Sequence, residues 1–202
     1  MAPKLIHGIM ATTLLAALTA GPAWAQGQGE RRLSIYADAG GISALRDLNQ
    51  SGGADLKTGF DLGGGVGWQL QRNVMLRGDL DWSRQRLRNG GTSTDFKLNE
   101  FFYGIDLAVR YPNAGRAAPY AFVGAGAVTM HPAGTSGENK TKGVGRFGLG
   151  VTYQPPRSKL KLFAQGTGWL YKVNGFPSTS PLAGYDRSQF NLAYTGGVSF
   201  HL

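Results

Sequence analysis

The last thirteen residues of the chain alternate between apolar and small or polar side chains. From Phe190 to Leu202, every second position is apolar or glycine, and the positions between them include Asn191, Thr195 and Ser199. Alternation of apolar residues with a period of two indicates a β-strand with one apolar and one polar face. We expect a strand that runs to the last residue to pair with the first strand of a closed membrane barrel. In hydrocarbon, every backbone polar group must be hydrogen-bonded within the protein.

The first 25 residues have the features of a cleavable signal peptide. Lys4 provides a positive charge, Ile9 to Ala20 form an apolar stretch, and Ala23-Trp24-Ala25 matches a cleavage site. A retained membrane anchor is less favoured because the apolar stretch is shorter than the ~20 residues that span a bilayer. The sequence therefore predicts a signal peptide at 1–25, export through the inner membrane, and one outer-membrane β-barrel domain at 26–202.

Eight segments show strand patterns, which predicts an all-β, eight-stranded antiparallel up-and-down transmembrane barrel. Two features stay open: the facing of the fifth strand, and the register near Trp169, which would face lipid only if a bulge intervened. The eight segments are Arg32–Gly40, Gly59–Leu70, Val74–Ser83, Phe101–Tyr111, Tyr120–Met130, Val144–Tyr153, Leu160–Tyr171 and Phe190–Leu202.

The connections between these segments alternate in length. Those after the second, fourth and sixth segments are short, whereas Gly41–Thr58, Arg84–Glu100, His131–Gly143 and Lys172–Ser188 are long and polar. Outer-membrane barrels have short periplasmic turns and longer loops outside the cell. We therefore expect the long connections to form four surface loops.

The predicted inward positions carry charges of both signs in nearly equal number. Eight strands enclose an interior that side chains fill, so we expect these charges to pair rather than to line an open pore. The predicted interior charges are Asp38, Asp61, Asp79, Asp81, Asp106, Arg77, Arg110, Arg146 and Lys161.

Arginines and aromatic residues mark the predicted membrane boundaries. Arg84, Arg86 and Arg88 alternate where the third strand leaves the membrane, a position suited to lipopolysaccharide phosphates. A solvated extension of the strand would explain the three arginines equally well.

Two aromatic belts are expected at the two membrane interfaces. One comprises Trp68, Tyr111, Tyr120, Tyr153 and Phe200, and the other Trp82, Trp169, Tyr171 and Phe190.

The whole predicted mature chain resembles the small eight-stranded outer-membrane barrels: the membrane domain of outer membrane protein A, outer membrane protein X and the opacity-type proteins. Thr195, Gly197, Phe200 and Leu202 resemble the barrel-assembly signal, although such signals usually end on an aromatic residue. The resemblance implies a monomer whose partners are outer-membrane lipid, lipopolysaccharide, the barrel-assembly machinery and periplasmic chaperones.

The sequence predicts no catalytic, cofactor-binding or metal-binding residues and no nucleic-acid partner. The chain lacks cysteine, and no residues have metal-ligand spacing. Ser199 and His201 share a strand face but have no acid nearby in the sequence to orient the histidine. We expect a non-enzymatic outer-membrane protein with a role in envelope integrity, surface contact or adhesion. The alternative is a lipid A-active enzyme or a small-solute passage on the same barrel.

Overall fold

The described part of the chain forms eight strands. The computed structural model describes residues 33–45, 48, 54–89, 92–111, 116–133, 139–176, 178, 180 and 182–202. The predicted signal peptide at 1–25 lies outside these residues. Within them, no helix is both long and apolar enough to cross a membrane. The strands are β1 (Leu33–Ala44), β2 (Ala54–Gln71), β3 (Val74–Asn89), β4 (Thr92–Arg110), β5 (Ala117–Ala133), β6 (Lys140–Tyr153), β7 (Leu160–Val173) and β8 (Arg187–His201).

Each strand pairs with its sequence neighbour, and β8 pairs with β1, so the sheet closes into a barrel. The closing ladder is antiparallel and extends from Ser34 opposite His201 to Ala44 opposite Asn191. The Leu202 amide continues it by donating a hydrogen bond to the Leu33 carbonyl, at 3.0 Å. The predicted eight-stranded antiparallel barrel is therefore confirmed, including the closure of the last strand on the first.

The two ends of the barrel differ in their connections. We call the end with Leu33, His201 and the turns after β2, β4 and β6 the terminal end, and the other end the distal end. At the distal end the strands extend beyond the predicted boundaries, and the β3–β4 ladder continues to Asn89 opposite Thr92. The predicted loop Arg84–Glu100 is therefore wrong, since most of it is strand. On this extension the outward positions are polar, as at Arg84 and Arg86, and the inward positions mix Gln85 with Leu87 and Leu98. The apolar alternation that identifies a strand therefore fades.

The outward face is apolar and exposed along the middle of the barrel. Leu80, Ile105 and Leu149 are 59%, 60% and 71% exposed, with nothing in the protein covering them. An apolar band of this kind around a closed sheet is the surface that lipid covers.

The residues on the inward face establish the facing of β5 and the register near Trp169, and they correct the predicted aromatic belts. In β5, Tyr120, Phe122, Val128 and Met130 point inward and are buried. The β6–β7 ladder runs without interruption past Trp169, so no bulge turns this residue outward. Trp169 and Tyr171 are buried inside. The belt positions predicted for Tyr120, Trp169 and Tyr171 are wrong, because each lies in phase with inward neighbours on its strand.

The interior of the distal half is an apolar core. Its buried residues come from the strands and also from the β7–β8 connection, which contributes Phe176 and Leu182. Ile42, Val128, Met130 and Leu182 are wholly inaccessible to solvent. Packing of this kind fills the described interior of the distal half and holds part of the β7–β8 connection against the barrel.

Removal of Phe200, His201 and Leu202 should abolish membrane insertion. These residues complete the β1–β8 ladder, and backbone groups left unpaired in hydrocarbon cost several kcal/mol each. Insertion is measured by the heat-modified gel shift of the outer-membrane fraction. His201→Ala keeps the backbone ladder and serves as the control. Normal insertion of the truncated chain would contradict the role of these residues in closure.

Candidate functional site

The middle of the barrel interior contains a network of buried ion pairs. The Arg77 guanidinium contacts Asp79 at 2.8 Å. The Arg146 guanidinium contacts Asp79 at 3.2 Å, Asp106 at 3.3 Å and Asp81 at 3.7 Å. Every member of the network is at most 6% exposed. The predicted pairing is confirmed for both arginines, and Asp79 joins them by contacting each.

Aromatic rings complete the surroundings of the two arginines. The Arg77 guanidinium lies 4.9 Å from the ring centroids of Tyr36 and Phe122, and Arg146 lies 4.2 Å from Trp169. The Tyr36 hydroxyl donates a hydrogen bond to Asp79 at 2.5 Å. Cation–π contacts are strongest where water is excluded. The network therefore packs the described part of this layer with charged and aromatic side chains in mutual contact.

Arg110 does not join this network. Its side chain donates to the Arg72 carbonyl at 3.4 Å, so its predicted pairing with an interior aspartate is wrong. Arg110 and Lys161 instead line a cavity of about 80 Å³ at the terminal end. Arg110 is the last residue of β4, so it lies closer to the terminal end of the barrel than the ion-pair network does.

Ser199 and His201 line the same cavity at the terminal end. No acidic residue lies among the described residues that form its wall. The described lining therefore supplies no carboxylate of the kind that orients the histidine in a serine–histidine pair.

Glu100 is a buried carboxyl that the sequence analysis missed. It is wholly buried and accepts hydrogen bonds from Tyr171, at 2.5 Å, and Ser83, at 3.3 Å. Asn191 donates to the Tyr171 hydroxyl at 2.8 Å and extends the network across the barrel. The sequence did contain a sign of this. Phe102 and Asp106 face inward on β4, and the same alternation places Glu100 inward if the strand begins before Phe101.

Four basic side chains form a group on the outward face near the distal end, which we call the cationic patch: Lys57, Arg84, Arg86 and Lys97. Arg86 on β3 stands directly opposite Lys57 on β2 and Lys97 on β4. Lys57, Arg84 and Arg86 are exposed, and no described carboxylate forms an ion pair with the patch. The backbone of Arg88 pairs with Ser93, and its side chain is outside the described part of the structure.

An aromatic pair lies next to the cationic patch, toward the middle of the barrel. Phe60 stands opposite Arg84, and its ring meets Trp82 edge-on at 6.1 Å. Aromatic side chains concentrate where hydrocarbon meets the headgroups. The order from the middle of the barrel outward is apolar band, aromatic pair, cationic patch, which matches the order of acyl chain, interface and phosphate in a lipid leaflet.

The residues of the predicted assembly signal occupy both faces of β8. Thr195 is buried inside, whereas Phe200 and Leu202 are 39% and 50% exposed outside. Gly197 stands opposite Asp38 of β1. Their recognition by assembly machinery stays a prediction.

Comparison with known proteins identifies the fold. The family described as "Outer membrane protein beta-barrel domain" matches residues 11–202. The crystal structure of Neisserial surface protein A is 17% identical with a TM-score of 0.60, over 84% of this chain and 97% of that one. That of OprG from Pseudomonas aeruginosa is 13% identical with a TM-score of 0.56, over 88% of this chain and 100% of that one. At these identities the structural likeness establishes the fold alone. No curated protein sequence matches the chain.

Asp79→Ala should destabilise the barrel strongly. Asp79 contacts both buried arginines, and removing one partner of a buried pair costs about 3–5 kcal/mol. The loss of stability is measured as a lower temperature at which heating shifts the gel band from the folded to the unfolded position.

Asp186→Ala is the control for this substitution. Asp186 pairs with Lys172 at 2.7 Å, but both side chains are more than half exposed. The Lys172 hydrogen bond lowers the pKa of Asp186, and solvent screening leaves such a pair with little effect on folding. Equal shifts for the two variants would count against a paired interior.

Proposed function

The chain belongs to the outer membrane protein β-barrel family and resides in the bacterial outer membrane, and we propose that it is a non-enzymatic barrel that binds lipopolysaccharide through its cationic patch. On this proposal the distal end faces the outside of the cell and presents the four connections there. The barrel then contributes to envelope integrity by holding neighbouring lipopolysaccharide molecules.

The alignment of like charges across three strands carries this proposal. Lys57, Arg86 and Lys97 stand side by side on the outward face, and like charges directly opposite one another in a sheet repel. An anion seated between them removes that repulsion. Membrane-surface phosphates attract nearby basic side chains by about 1 kcal/mol each. The adjacent Phe60–Trp82 pair places such phosphates at headgroup depth.

The direction of the chain supports the orientation. Both the start of β1 and the end of β8 lie at the terminal end, together with the turns after β2, β4 and β6. Outer-membrane barrels place their termini and short turns on the periplasmic side. The β7–β8 connection, the longest of those that follow the strands, then lies at the cell surface.

The interior argues against the alternative functions. A solute passage would have to cross the ion-pair network and the distal apolar core, and Trp169, Phe102 and Arg146 fill this region with at most 1% exposure. A hydrolase based on Ser199 and His201 would find no acid among the described residues that line its cavity.

Replacing Arg84 and Arg86 together by alanine should weaken lipopolysaccharide binding. Loss of two charges at about 1 kcal/mol each lowers the affinity by roughly 30-fold. The measurement is lipopolysaccharide titration of the purified barrel in detergent at low salt. The matched control is the double variant Arg72→Ala/Arg157→Ala, which removes two exposed arginines at the terminal end. Unchanged affinity in the Arg84/Arg86 variant, or an equal loss in the control, would contradict the proposal.

Cells carrying His201→Ala should contain unaltered lipid A. The expectation follows because the described residues that line the cavity of Ser199 and His201 include no acid. Lipid A mass spectra of wild-type, His201→Ala and gene-deleted cells are compared. A species lost equally in the substituted and deleted strains would make Ser199 and His201 a catalytic site.

A further inference from the structure

Three buried carboxylates from separate strands meet inside the barrel. Asp38 of β1, Asp61 of β2 and Asp81 of β3 each offer an oxygen, and these oxygens lie within 4.8 Å of one another. None of the three residues is more than 5% exposed. Three negative charges this close in a low-dielectric interior repel strongly, so the cluster needs a positive charge or protons to exist.

Gly63 is the residue that allows these carboxylates to meet. It stands opposite Asp38 on one side and opposite Asp81 on the other, so the two aspartates are separated by two strand spacings. A Cβ at position 63 would clash with Asp81 Oδ1 and lie 3.0 Å from Asp38 Oδ1. The missing side chain leaves the space into which both carboxylates turn. Asp61 reaches the same space from two residues along β2, on the same face.

The protein's own cations do not neutralise this cluster. Among the described residues, the buried ionisable side chains are two arginines against six carboxyl groups: Arg77 and Arg146 against Asp38, Asp61, Asp79, Asp81, Glu100 and Asp106. Arg77 contacts Asp79, and Arg146 is shared among three aspartates, with Asp81 the most distant at 3.7 Å. Asp38 and Asp61 form no ion pair with a described residue.

Unsatisfied polar atoms point into the same space. Asp61 Oδ1 and Asp38 Oδ1 are buried without a hydrogen-bond partner among the described residues. The Thr195 hydroxyl, from β8, is also buried and meets no described residue with full hydrogen-bond geometry, and it is close enough to the Asp38 carboxyl to interact with it. Buried polar atoms in native proteins are almost always satisfied. A fourth oxygen, which is not acidic, thus borders the carboxylate cluster.

We propose that Asp38, Asp61 and Asp81 bind one divalent cation of the Ca²⁺ or Mg²⁺ class inside the barrel, with the Thr195 hydroxyl as a further oxygen ligand. Such hard cations take carboxylate and other oxygen ligands. A Ca²⁺ ion holds its oxygen ligands at 2.3–2.6 Å, so two ligands of one ion can lie up to about 5 Å apart. The three carboxylate oxygens all lie within 4.8 Å of one another, so one ion can contact all three. The cation offsets the excess negative charge and ties β1, β2, β3 and β8 together. This site is independent of the cationic patch.

Metal content and thermal unfolding test the proposal on the barrel purified from outer membranes in detergent. After passage through metal-free buffer, the wild-type barrel should retain about one equivalent of Ca²⁺ or Mg²⁺ by mass spectrometry. At constant pH and ionic strength, CaCl₂ or MgCl₂ should raise the unfolding temperature above that in chelator with KCl. If the wild-type barrel retains no metal and neither salt raises the unfolding temperature, protons neutralise the cluster and the proposal is overturned.

Asp61→Asn separates a specific site from adventitious binding. It keeps the shape of the side chain and removes one ligand charge, so the cation affinity should fall by about tenfold or more. In chelator this variant should unfold no earlier than the wild type, because it carries one repelling charge fewer. Glu100→Gln removes a buried carboxyl outside the cluster and should leave cation binding unchanged. An equal cation response in wild type and Asp61→Asn, or an equal loss in both variants, would overturn the proposal.

Discussion

Backbone hydrogen bonding in hydrocarbon is the constraint on which the rest of the structure depends. Lipid offers no partner to an unpaired amide or carbonyl, so β8 must close on β1, and it does so from Ser34–His201 to Ala44–Asn191. Closure with eight strands fixes a diameter that leaves room only for side chains. The barrel interior therefore has to be packed as a protein core, while the outward face supplies the apolar surface that a soluble protein would bury.

The interior meets this packing requirement with two kinds of chemistry. Its distal half is an apolar core, whereas its middle is charged and is held by Arg77 and Arg146. Buried ion pairs rarely improve on apolar packing, and this network is not even balanced in charge. An excess of carboxyl groups needs a compensating species. The space beside Gly63 is where the proposed cation would lie, because the missing side chain lets the Asp38 and Asp81 carboxylates converge from the two neighbouring strands.

The sequence predicts most of the fold where the two faces of a strand meet different surroundings. β8 follows from its alternation because lipid lies on one side and polar side chains lie on the other. Trp169 and Tyr171 were misplaced because the distal interior is as apolar as lipid, so alternation loses its meaning there. Arg110 lies on the predicted inward side of its strand, but at the terminal end of the barrel and not at the level of the ion-pair network. The carboxylate cluster could not be predicted, because its members come from three strands whose register only the closed sheet defines.

The distal core also links the interior to the surface. Phe176 and Leu182 of the β7–β8 connection pack in the same cluster as barrel residues, so the barrel interior positions part of this connection. The cationic patch is different, because it lies on the outward face. On β3, Arg84 and Arg86 point outward, whereas Asp79 and Asp81, a few residues earlier, point inward. A strand period of two thus separates lipid contact from interior charge compensation on a single strand. Either set of side chains can then be altered without removing the other.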